Sequence, residues 1–134
     1  MAKITDVEGI GPVNAEKLGS IGLSTTAAYL KKCCEAKGRK EVSEATGIST
    51  HMLLEWANRV DLMRVKGIGT QYSDLLEASG VDSVPELAQR NAANLQAKLA
   101  EVNAEKKMVR RVPSLAEVSG WVSAAKELPK VVTH

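Results

Sequence analysis

At 134 residues, 44% of them hydrophobic and none of them Phe, the chain has room for one or two small domains with true cores. Its apolar runs are broken every few positions by Lys, Glu, Asp, Ser or Gly, which excludes a membrane span, and the opening MAKITDVEGIG lacks the apolar block of a signal peptide, so a soluble cytoplasmic protein is expected. The net charge of +2 permits a nucleic-acid partner without requiring one, and the basic excess lies in the second half, concentrated in KKMVRR at 106–111.

In chain order, the first element is a tight turn. A helix ending at Val7, then Gly9, Ile10 and Gly11, then a helix opening on Pro12, reads as a hairpin between two helices. Leu18 and Gly22 close that short helix, and the Ser and Thr residues after Gly22 suit the cap of another. The segment GRKEVSEATGISTHMLLEWANRV follows with a helix-like first part, a break at Gly47 and Ser49 as an N-cap. Met52, Leu53, Trp56 and Val60 then recur at helical spacing.

At an offset of 58 residues the pattern starts again: Val7, Ile10, Gly11, Leu18 and Gly22 meet Val65, Ile68, Gly69, Leu76 and Gly80. Ser83 with Glu86 reads as a capping box, and Leu95, Leu99 and Val102 share one helix face. Pro113 ends that helix; Ser114 with Glu117 caps a last one bearing Leu115, Val118, Trp121 and Val122. With so few aromatics, Trp56 and Trp121 should supply much of the core of each repeat. No alternating apolar run marks a strand. The expectation is all-α, with two packed helical repeats over residues 1–62 and 63–134, the second carrying the longer C-terminal helices.

A turn of this kind has a chemistry. The first amides of the helix after it lack intrahelical acceptors, glycine lets a ligand come close, and the positive end of the helix dipole favours an anion such as phosphate. The apolar-Gly-Ile-Gly turn, followed by a helix closed with L-x-x-x-G, resembles the helix-hairpin-helix motif, which grips the nucleic-acid backbone without reading sequence. Nearly the whole chain, including GRKEVSEATGIS, EWANRVDLMRVKGIG, PELAQRNAANL and ELPKVV, resembles a family of small bacterial proteins known as domain of unknown function 4332, with repeats of that motif. The resemblance implies SAM-like helical subdomains and carries no settled activity.

The residues proposed to meet phosphate are Gly67, Ile68, Gly69, Thr70 and Lys66 in the second turn and Gly9, Ile10 and Gly11 in the first. Arg64, Lys106, Lys107, Arg110 and Arg111 are the supporting cations. The second turn should be the stronger seat. Arg64 and Lys66 outweigh Asp74 there, whereas Glu8 and Glu16 outweigh Lys17 at the first, and Pro12 removes an amide that Thr70 keeps. The sequence departs from the motif where basic residues usually follow the second glycine, since Val13, Asn14, Gln71 and Tyr72 stand there. The hairpins therefore read either as phosphate grips, with duplex DNA foremost among nucleic acids, or as plain joints in a protein-interaction scaffold.

Other readings are weaker. Gly47 with Val42, Ile48, Leu53 and Trp56 fits a helix-turn-helix, but Thr50, His51, Glu55 and Asn58 make a poor set for base contacts. Adjacent Cys33 and Cys34 read as reduced thiols, and with His51 and His134 they lack zinc-site spacing, so no metal or cofactor is expected. No nucleophile with a base, Walker loop or carboxylate cluster appears, so no enzyme is expected.

Overall fold

The structure, a computed structural model, describes residues 3–7 and 9–133. It is all-α. After a 3-10 turn, Ile4–Asp6, the helices are α1 Pro12–Gly19, α2 Thr26–Cys33, α3 Ala36–Thr46, α4 Thr50–Leu62, α5 Thr70–Ala78, α6 Val84–Ala88, α7 Ala92–Lys106 and α8 Leu115–Glu127. There is no strand among the described residues, only an isolated antiparallel bridge between Lys3 and Thr25. The helix expected to end at Val7 is reduced to the 3-10 turn, with Val7 as its C-cap.

The chain forms two compact units, Met1–Asp61 with Val131–His134, and Leu62–Lys130. In the first unit Val132 is buried, and the Thr133 N–H donates to the Cys34 carbonyl at 2.8 Å. Buried Arg39 donates to the Cys33 carbonyl at 2.9 Å and also to the Thr133 carbonyl. Its cation thus sits at the carbonyl end of α2, where the helix dipole favours positive charge.

The 58-residue repeat extends into the hydrogen bonds. Ile10 and Ile68 donate to the Val7 and Val65 carbonyls at 3.2 and 3.1 Å; Leu23 and Val81 donate to Leu18 and Leu76 at 2.9 and 2.8 Å. Ala15 and Ser73 donate to Gly11 and Gly69, each at 2.9 Å. Thr25 Oγ1 accepts from the Ala28 N–H and Ser83 Oγ from the Glu86 N–H, again at matched positions. Short-range turn and cap chemistry therefore builds the same path twice, through the start of α2 and of α6.

Three expectations are corrected. Only half of the Ser83 box forms, because the Glu86 carboxylate turns forward to Arg90, which donates to it from Nε and Nη2 at 3.2 and 3.0 Å. Helix α7 ends at Lys106, well before Pro113, with Lys107 in the left-handed conformation at its C-cap, so Arg110 and Arg111 lie in the loop that follows. Leu115 is 51% exposed, on the first turn of α8, whereas Val118, Trp121 and Val122 join Leu95, Leu99 and Val102 in the core of the second unit. The Ser114–Glu117 box forms in full.

Candidate functional site

Each Gly-Ile-Gly turn has one construction. Gly9 and Gly67 have φ of +92° and +95°, the left-handed region that glycine enters without steric cost. Gly11 and Gly69 are extended N-caps of α1 and α5. Ile10 and Ile68 are buried and anchor the turns from below, while the four glycines are exposed.

Neither α1 nor α5 has a side-chain cap on its first turn. Helix α3, begun by Glu35, also lacks one, whereas Thr25, Ser49, Ser83, Asn91 and Ser114 each accept an amide at the head of α2, α4, α6, α7 and α8. The first-turn amides after the two glycine turns, Val13 and Asn14 in α1 and Thr70, Gln71 and Tyr72 in α5, therefore have no intrahelical acceptor. Pro12 supplies no amide at the first position of α1.

Beneath each turn lies an indole. A Cβ built on Gly9 would stand 3.4 Å from Trp56 Nε1, and one on Gly67 would stand 3.0 Å from Trp121 Nε1. Trp56 belongs to α4 and Trp121 to α8, so each helix closes its own unit against its own turn. Arg59, one helical turn beyond Trp56, brings Nη1 within 3.7 Å of the same Gly9 position. Charge counts taken along the sequence around the turn could not find it; the Trp56-x-x-Arg59 spacing on one helix face is the signal that could.

The structure also ties the backbone of the basic segment, at Arg111, to the first turn of α5. Tyr72, on the first turn of α5, stacks at 51° against Trp121 with ring centroids 5.3 Å apart, and its hydroxyl donates to the Arg111 carbonyl at 3.0 Å. The loop is pinned further where Asn103 bonds both the Val109 N–H and its carbonyl, at 2.9 and 3.1 Å. Lys66, Lys106, Lys107 and Arg110 are exposed. Arg64 is half-buried and donates to the Pro129 carbonyl at 3.2 Å. Glu8 and His134 lie outside the described residues.

Arg111 is committed to a forked pair with Glu117, at 2.5 Å from Nη1 to Oε1 and 3.0 Å from Nη2 to Oε2. Those bonds, followed by the Ser114 N–H, hold the Glu117 carboxyl down at about 2, against an ordinary 4.5, and push the Arg111 guanidinium up. Because the folded value is the lower one, the pair stabilises the fold above pH 4.5, and that contribution disappears as pH falls through about 2. Urea midpoints of the wild type should therefore drop more steeply over this window than those of Glu117→Gln, by a margin that shrinks in high salt because the pair is exposed.

Elsewhere, Gly47 in the left-handed region and Ser49 as a cap join α3 to α4, with Val42, Ile48, Leu53 and Trp56 buried. Thr50, His51 and Glu55 are exposed, Asn58 is half-buried, and His51 lies 3.6 Å from Glu55. Both cysteines are free, and burial pushes the Cys33 thiol up to about 11, leaving it a poor nucleophile. Among the described residues no group of three or more His, Cys, Asp or Glu is placed to hold a metal, and no helix is long and apolar enough to cross a membrane.

The fold and site define an all-α chain of two helical units, each opened by an uncapped Gly-Ile-Gly turn seated on a tryptophan. The chain belongs to the family described as Domain of unknown function (DUF4332), whose profile matches residues 8–128. No curated protein and no solved structure matches it.

Proposed function

We propose that the two turns are helix-hairpin-helix motifs and that the chain is a non-enzymatic module gripping the phosphate backbone of nucleic acid, duplex DNA foremost, without reading sequence. The observation that carries this reading is the turn built twice: left-handed glycine, buried isoleucine, extended glycine, then a helix whose N-cap glycine offers its first amides no capping side chain. Donors so arranged suit the oxygens of a phosphodiester. The second turn is the stronger seat in this reading, since it has one amide more, Lys66 beside it and the Arg110 loop tied to it through Tyr72.

The test is an electrophoretic titration with duplex DNA, single-stranded DNA and RNA at two salt concentrations. Neutralising about four phosphates gives a slope near −3.6 in log affinity against log salt, or about a hundredfold loss between about 50 and 200 mM. Lys66→Glu should weaken binding clearly more than Lys17→Glu, in protein whose circular dichroism is unchanged. Equal effects would make the turns joints rather than unequal phosphate sites.

One observation favours the second reading, a protein-interaction scaffold. Val13, on the first turn of α1, is 67% exposed where a phosphate grip would gain from a polar or basic residue. A flat salt dependence together with no affinity for any nucleic acid would decide for that reading.

A further inference from the structure

Independently of the phosphate reading above, we infer that the corner between α2 and α3 is a docking site for an extended peptide segment, and that the partner it fits is the C-terminal segment of a second copy of this chain. In the structure the chain's own residues 131–133 occupy it. They follow α8 through Leu128, Pro129 and Lys130, have no helix or strand, and belong to the first unit although the whole second unit intervenes. Arg39 and Thr133 are 94 residues apart, and Cys34 and Thr133 are 99 apart. The segment therefore meets the corner as a ligand would, not as a neighbour in sequence.

The corner is built to receive backbone. Helix α2 ends at Cys33, and the last carbonyls of a helix have no intrahelical donor. The Cys33 carbonyl takes Arg39 Nη1 at 2.9 Å, and the Cys34 carbonyl takes the Thr133 N–H at 2.8 Å. Arg39 is only 4% exposed, and its Nη2 donates to the Thr133 carbonyl. A buried cation is costly unless its donors are satisfied, so withdrawing the segment leaves one arm of Arg39 and the Cys34 carbonyl in want of a replacement. Both main-chain groups of Thr133 are thus read, the donor by Cys34 and the acceptor by Arg39. Val132 is buried at 6% exposure while Thr133 is exposed, the alternation of a strand laid along a surface.

These contacts fix the class of ligand: an extended peptide with a β-branched apolar residue, followed by a residue whose N–H and C=O are both free to pair. Every copy of the chain carries that segment as well as that site. Leu128, before Pro129, is extended at φ −80° and ψ 131°, so α8 stops there and the segment departs as a separate strand. Exchange between two copies keeps each hydrogen bond and the burial of Val132 and alters only the path of residues 128–130. Under that condition swapping a segment costs little. Each copy's segment then lies in the other's corner.

The test follows the Cys34 and Arg39 amides in ¹H–¹⁵N spectra of a labelled chain shortened to end at Leu128, which leaves the corner empty. A synthetic peptide of residues 128–134 should move both signals to saturation. Val132→Asp in that peptide should weaken binding by about tenfold or more, the loss expected when a buried valine side chain is given up. An unlabelled full-length copy bearing Arg39→Met, which carries the segment and lacks the clamp for it, should move the same signals in the same direction. If the peptide binds and this second copy moves nothing, exchange between copies is overturned. If the peptide moves nothing, or the substituted peptide binds as well, the docking site is overturned with it. Should the shortened chain fail to fold, the labelled full chain takes its place. The peptide or the Arg39→Met copy at millimolar concentration, comparable to the effective concentration of a tethered segment, should then draw the Thr133 amide signal toward its free position. A Thr133 signal that stays still with both overturns the inference.

Discussion

Replacing Gly38 with Ala should destabilise the first unit by about 3 kcal/mol or more, the upper end of the cost of forcing extra atoms into a packed site. Helices α2 and α3 are joined by only Cys34 and Glu35, so the first turn of α3 lands on the last turn of α2. A Cβ on Gly38 would stand 1.7 Å from the Lys32 carbonyl oxygen and 2.9 Å from its carbon. These are backbone atoms of a helix and cannot swing aside; α2 and α3 must separate. Separation would also pull Arg39 from the Cys33 and Thr133 carbonyls. The control is Gly120→Ala in α8, where nothing lies within 4 Å and the exchange should stabilise by up to about 1 kcal/mol through helix propensity. Urea unfolding measures both, with a shifted midpoint at unchanged slope as the expected form. A loss below about 1 kcal/mol for Gly38→Ala would mean that the corner yields easily and that the close approach is not a constraint.

Gly38 also marks the limit of what the sequence discloses. The glycines of the two turns were legible because their work is local: positive φ at Gly9 and Gly67, an N-cap at Gly11 and Gly69, and an isoleucine between them to anchor. Capping by Ser49 and Ser114 was legible for the same reason. At Gly38 the constraint is tertiary, a carbonyl from the preceding helix, and within GRKEVSEAT the residue reads as an ordinary interruption of helix propensity.

Charge shows the same division. Counting Lys, Arg, Asp and Glu near each turn found Lys66 but not Arg59, which α4 carries to Gly9 from far along the chain. Nor does counting tell which cation is committed: Arg110 and Arg111 are neighbours, yet Arg111 is forked onto Glu117. Leu115 kept the helical spacing of a core residue, but it sits on the first turn of α8 and stays exposed, so periodicity alone placed it wrongly. The indoles were legible as core; that their nitrogens face the turn glycines was not, because edge orientation is set by packing.

Trp121→Ala should cost the second unit about 3–5 kcal/mol, the usual loss when a large buried aromatic is truncated, and Trp56→Ala should do the same to the first. Trp121 belongs to the cluster that includes Leu76, Leu99 and Val118, and its removal also ends the ring contact with Tyr72. The remaining tryptophan reports on the other unit by its fluorescence, so each variant contains its own control. Gly67 gives a sharper test. In the wild type, Gly67→Ala meets both a left-handed backbone, unfavourable by about 1–2 kcal/mol for a residue with a Cβ, and the indole nitrogen at 3.0 Å. In the Trp121→Ala background the nitrogen is gone and only the backbone strain remains. The two losses should therefore sum to more than the double variant shows, by at least about 0.5 kcal/mol, the coupling expected of residues in contact. Additive losses would mean that ring and turn are independent. A Trp121→Ala loss below about 1 kcal/mol would take the ring out of the core and make it part of the exposed surface.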